Sequence, residues 1–99
     1  MIQGTTPTHK FHLPFNADNI KKVRISYEQN GKIVLTKEMK DCEQDGECLM
    51  TTLTQEETLK FDANVNVRIQ LHVLNGNDNA IASKPISVPV YVLLDKRVI

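Results

Sequence analysis

Four carboxylates fall at alternate positions, Asp41, Glu43, Asp45 and Glu47, with Gly46 before the last. Oxygen ligands at that spacing, followed by glycine, are how a calcium loop begins, since the ion takes carboxylate oxygens and the glycine permits a sharp turn. Such a loop also needs a bidentate glutamate at its twelfth position. That position is Thr52, and no helical pattern flanks the stretch. The segment reads better as a solvated acidic hairpin loop, so no metal ligands are assigned.

Cys42 and Cys48 lie six residues apart across the same stretch. They could face each other across a hairpin and bond in an oxidising compartment, or stay free in a reducing one. A zinc site would need two more ligands, which no CxxC and no nearby histidine supplies. The histidines are His9, His12 and His72. His9 and His12, three apart, fall on opposite faces of a strand and cannot chelate together. No serine, cysteine or carboxylate is spaced to complete a catalytic set with any of them. The expectation is a protein that is not an enzyme, with no catalytic residues and no cofactor.

Lys21, Lys22, Arg24 and Arg68 could line one outward sheet face. A nucleic-acid face interleaves such cations with aromatic rings. Here only Tyr27, Tyr91 and three phenylalanines exist, and the phenylalanines fall at core positions. Lys+Arg 12 balances Asp+Glu 12, so there is no long-range field for nucleic acid or anionic lipid. Both are set aside as partners, and the cations read as a solvated face.

The elements that would hold these residues are strands, because apolar and polar positions alternate with period two. In Thr8 to Phe15, Phe11, Leu13 and Phe15 share a face, and Pro14 marks an edge or an end. In Ile20 to Gln29, Val23, Ile25 and Tyr27 point one way. Asn30-Gly31 then gives a hairpin signal, since both residues accept positive φ in a type I′ turn, and Ile33 to Met39 returns with Ile33 and Leu35 on one face. Lys40 to Gly46 reads as a polar loop, and Glu47 to Leu53 as a short strand of unclear phase. Thr54-Gln55-Glu56-Glu57 fits a capping box and predicts one helical turn near 54–58, with Leu59 and Phe61 entering the core.

Val65, Val67, Ile69, Leu71 and Val73 are five inward positions of a central strand. Asn75 to Asn79 is a turn. Ala80 to Leu94 keeps Ile86, Val88, Val90, Val92 and Leu94 in phase, but Pro85 and Pro89 cannot donate to a ladder, so this is an edge strand or a bent one.

About seven short strands in 99 residues fit a single domain over 1–99: an all-β, antiparallel two-sheet sandwich of immunoglobulin-like or fibronectin-like type. A small barrel is the alternative. The tryptophan and bridging cysteines of true immunoglobulin domains are missing. Met1 to Pro7 has neither a basic start nor an apolar run, and Val90 to Leu94 is far shorter than the ~20 residues of a spanning helix. The expected place of folding is a cytoplasm, with no membrane partner. The apolar end, Val90 to Leu94 and Val98-Ile99, could pair with a neighbouring chain as a strand, or simply complete this domain's own sheet.

Gly4-Thr5-Thr6-Pro7-Thr8, the run Leu53 to Phe61, and Ile69 to Leu74 with Ala82-Ser83 carry a resemblance over nearly the whole chain. They resemble small β-sandwich proteins encoded in phages and prophages of gut Clostridia and related Firmicutes. The resemblance implies a virion or virion-assembly protein of the tail or head–tail region. The implied partners are other virion or tail proteins, with folding in the bacterial host cytoplasm and the virion as destination. It supplies no activity and no site residues. The function expected is therefore a phage or prophage structural module acting through protein–protein contacts, including homo-oligomers through the C-terminal edge strand. The alternative is an adhesion or ligand-binding module using loops 41–47 and 75–79.

Overall fold

A computed structural model describes residues 1–99. Eight strands form two sheets. They are β1 (Thr8–His12), β2 (Ile20–Gln29), β3 (Lys32–Glu38), β4 (Cys42–Asp45), β5 (Cys48–Thr52), β6 (Val67–Asn75), β7 (Ala80–Ala82) and β8 (Ile86–Val88). A single helical turn, α1 (Gln55–Thr58), precedes β6. The small sheet has the order β1-β5-β4. The large one runs β3-β2-β6, with β7 and β8 both along the far side of β6. Every strand pairing is antiparallel. The chain is an all-β two-sheet sandwich. Since β7 and β8 occupy one place, seven strand positions are filled. Their order is that of an immunoglobulin-type sandwich whose first strand is lacking.

Local chemistry explains several elements. Asn30 and Gly31 adopt φ of 51° and 79°, the mirror-image turn that matches strand twist, and they join β2 to β3 at Gln29↔Lys32. Thr54 accepts from the Glu57 N–H while the Glu57 carboxylate accepts from the Thr54 N–H, so the capping box closes α1. On β6, Val67, Ile69, Leu71 and Val73 are buried against Tyr27, Ile25, Leu49 and Phe61 of one continuous core.

Four expectations need correction. The first strand stops short of Phe15: Leu13 makes the last ladder bond, to Glu47, and the chain bends away at Pro14-Phe15. Lys40 to Gly46 is not a loop: a 3-10 turn, Met39–Asp41, leads into β4, which pairs with β5. Ile33 does not share the inward face of Leu35. Tyr27 pairs with Leu35 but Glu28 pairs with Ile33, so Val34 is the extra residue of a bulge. One inserted residue reverses side-chain direction, and Ile33 is 60% exposed while Leu35 is buried. Finally, Ala80 to Leu94 is not one phased strand. Lys84-Pro85 splits it into β7 and β8, with a one-residue slip between His72↔Ala82 and Ile69↔Ile86. Val90 is buried beyond the break, whereas Val92 and Leu94 are exposed.

Polar contacts fix how the sheets overlie one another. His9 Nδ1 of β1 meets the Tyr27 hydroxyl of β2 at 2.7 Å. The Cys42 thiol of β4 donates to the Glu38 carbonyl of β3. Lys37 of β3 reaches the Thr52 carbonyl of β5. The small sheet therefore overlies β2 and β3, and the inward side chains of β6 are buried in the same core as Phe11 and Leu49, whereas Ile81 and Ile86 on the β7–β8 side are left exposed.

Candidate functional site

The two ends of the chain are joined. The Met1 amine donates to the Pro89 carbonyl at 2.7 Å, Tyr91 N–H donates to Met1, and Gln3 N–H donates to Tyr91. Ile2 and Tyr91 form a parallel bridge. Gln3 is buried and completes the join: its amide nitrogen donates to the Phe61 carbonyl at 2.7 Å, and its oxygen accepts from Leu93 N–H. After Leu93 the chain runs over the surface. Asp95 and Arg97 pair with each other, and Ile99 exchanges two hydrogen bonds with the Gln55 side chain. Tyr91, Val92, Leu94, Val98 and Ile99 are all exposed. They concentrate unburied apolar surface in one short segment, the kind of patch that marks contact with another molecule.

A second apolar feature lies on the overhanging edge. Ile81 shares a row with Val73, and Ile86 with Ile69. Paired residues point to the same side of a sheet, and Val73 and Ile69 are buried in the core. Yet Ile81 is 38% and Ile86 54% exposed, because no strand of the small sheet lies opposite them.

The residues singled out for chemistry are mostly kept apart. Glu43 and Asp45 pair with Met50 and Cys48 on the outward side of the β4–β5 hairpin, and the Asp41 carboxylate accepts from Glu38 N–H instead. No group of three metal-ligating side chains converges. Cys42 and Cys48 do not face each other. Cys42 pairs with buried Thr51, and Cys48 pairs with exposed Asp45, so the two thiols leave opposite faces of one sheet. Both are free. Burial is the main influence raising the Cys42 thiol above its ordinary value. A hydrogen bond with Thr51 opposes it, and the Asp41 charge reinforces it. Cys48 instead lies 3.6 Å from His12 Nδ1.

The histidines are dispersed as well: His9 points inward and His12 outward on the small sheet, and His72 is exposed on the outer face of the large one. Burial, followed by the charge of the N-terminal amine, lowers the His9 pKa below 6.5. The neutral ring sits against Tyr27, whose phenol is pushed well up by burial and by nearby Cys42 and Glu57.

The outward cations do share a sheet face. Lys22, Arg24 and His72 line an open groove of about 520 Å³, together with Glu38 and Leu74. Lys21 at its margin is engaged with Asp78, and Arg68 farther along bonds Glu28. No phenylalanine, tyrosine or tryptophan lines this groove. The 75–79 turn spends its polar groups internally, with the Asn75 side chain accepting from Asn77 and Asn79 N–H.

Sequence reasoning passed over the five buried polar residues, Thr51, Thr58 and the three long ones, Gln3, Gln29 and Lys37. Gln29 ties down the segment before β6, donating to the Asp62 and Val65 carbonyls and accepting from Asp62 N–H. The partners of the three long ones are remote in sequence. Only the phase of Lys37, in step with Leu35, carried a local signal. Comparison with protein-family models, with curated proteins and with solved structures returned no match to this chain.

Proposed function

We propose that this chain is a non-enzymatic assembly module, of phage or prophage context, that works through protein–protein contacts made by its C-terminal segment. The observation that carries the reading is the exposure of Tyr91, Val92, Leu94, Val98 and Ile99, five apolar or aromatic side chains within residues 91–99. A chain with no net charge has little self-repulsion to oppose association through such a patch. The resemblance supplies the context: other virion or tail proteins, or further copies of the chain, as partners, and a bacterial host cytoplasm as the place of folding. Loops 41–47 and 75–79 support an adhesive reading less well, since Asp41, Asn75 and Asp78 are occupied by internal hydrogen bonds.

Light scattering behind size-exclusion chromatography, with binding assays against purified virion and tail components, tests the proposal. Association that is lost on removing residues 92–99 is the expected result. A strict monomer that binds none of those components overturns it.

A further inference from the structure

We infer that the outer edge of β1, with Ile81 and Ile86 beside it, is a strand-accepting slot, and that its occupant is the Val92–Val98 segment of a second copy of this chain. The inference rests on the assembly reading above and names both halves of the contact.

The edge is defined by its hydrogen-bond phase. Leu13 N–H donates to Glu47, and Leu53 N–H donates to Pro7, at the two ends of the β1–β5 ladder. In an antiparallel pair, bonded positions recur every second residue. The odd positions of β1 therefore face β5. The backbone groups of Thr8, Lys10 and His12 point away from the sheet, where no further strand lies.

The other sheet margins are protected in ways β1 is not. β3 carries the Val34 bulge. β4 is short, with exposed Glu43 and Asp45. The β7–β8 margin is interrupted at Lys84-Pro85. Bulges, charges and prolines are the usual devices that stop an edge from pairing. β1 carries one exposed charge, Lys10, but keeps an unbroken five-residue register with no proline inside it.

Beside that edge the large sheet overhangs. A strand laid along β1 would extend the small sheet over β7–β8 and cover Ile81 and Ile86. Such a strand must present apolar side chains inward at every second position. Val92, Leu94 and Val98 have that parity, while Asp95 and Arg97 have the other and would face water. Leu94 is 94% exposed, so it has no role in the isolated domain that would hold it back. Lys96, on the inward parity, is long enough to bring its ammonium out to solvent.

The test uses the full chain. Amide hydrogen exchange at low and high protein concentration is expected to show Thr8, Lys10 and His12 protected only at high concentration, in step with dimer or oligomer mass. Leu94→Asp, and separately Ile86→Asp, alter side chains already exposed, so the fold should persist by circular dichroism. Each is expected to weaken association roughly tenfold or more by placing a charge in an apolar slot. Association that survives both substitutions overturns the slot but leaves the assembly reading standing. Protection of the β1 amides at every concentration would mean the chain's own tail fills the slot, which also overturns it. Absence of any association sinks both.

Discussion

The Lys37 ammonium, only 6% exposed as a residue, donates to Glu57 Oε1 at 2.7 Å, and that same oxygen accepts the Thr54 N–H at 2.8 Å. One carboxylate thus neutralises a buried cation and caps α1. Glu57→Gln is expected to cost about 2 kcal/mol in urea unfolding, less than for a fully enclosed pair because Glu57 keeps some solvent contact. Lys37→Met should cost less, since Glu57 retains Thr54 and its unpaired carboxylate keeps some contact with water. Equal losses in the two variants would contradict this account.

Acid should destabilise the domain in two stages. His9 is held below 6.5 mainly by burial, so the unfolded chain binds its proton first. Stability from this group is full above 6.5 and falls as pH drops toward the folded value. For Glu57, burial is the largest single influence and pulls upward. The bonds from Lys37 and Thr54 together outweigh it, and the net shift is below 4.5. Its contribution is full above 4.5 and is lost as pH falls through the lower folded value. Melting temperature against pH checks both stages, with His9→Gln expected to flatten the first and Glu57→Gln the second.

Gln3→Leu leaves the Phe61 carbonyl and the Leu93 N–H without their partner. Two buried groups left unpaired should cost about 2–3 kcal/mol. Faster hydrogen exchange at Tyr91 and Leu93 than in the parent would show that the join between chain ends is what loosens. Gly4, next in sequence, has φ of 76°, and a Cβ there would collide with Leu93 Cδ2. Gly4→Ala should weaken the same join by about 1 kcal/mol or more.

Oxidising conditions should leave the cysteines unbridged. Their side chains leave opposite faces of the β4–β5 hairpin, and a disulfide requires converging Cβ vectors. Mass spectrometry after alkylation of the native protein should find both as thiols. Cys42 is expected to alkylate more slowly than an unhindered thiol, because burial raises its pKa and it donates to the Glu38 carbonyl. A quantitative intramolecular bridge would refute the register.

What was legible beforehand was local. The turn at Asn30-Gly31, the capping box at Thr54 and the alternation from Val67 to Val73 each depend on residues a few positions apart and appear as expected, while Val65, expected on the same strand, falls in the bend before β6. Pro85 and Pro89 marked an edge or a bend, and the segment is both. Ile33 was misplaced because the bulge at Val34 has no composition cue. The surface patch at the chain's end could be anticipated from its greasy residues. The overhang at Ile81 and Ile86 could not, since it depends on which strand position the small sheet leaves unfilled. Gln3 and Gln29 were invisible for a similar reason, as their partners are carbonyls of loops far along the chain.

The lateral alignment of Met1–Gln3 with Pro89–Leu93 has a mechanical corollary. The two segments run in the same direction, so tension applied to the polypeptide's opposite termini would drag them past each other lengthwise. The bonds at Pro89, Tyr91 and Leu93 would then share the load and rupture together, whereas a hairpin pulled open at its mouth unzips one rung at a time. A domain threaded into a stressed particle by its termini would by this arrangement be fastened where the strain arrives.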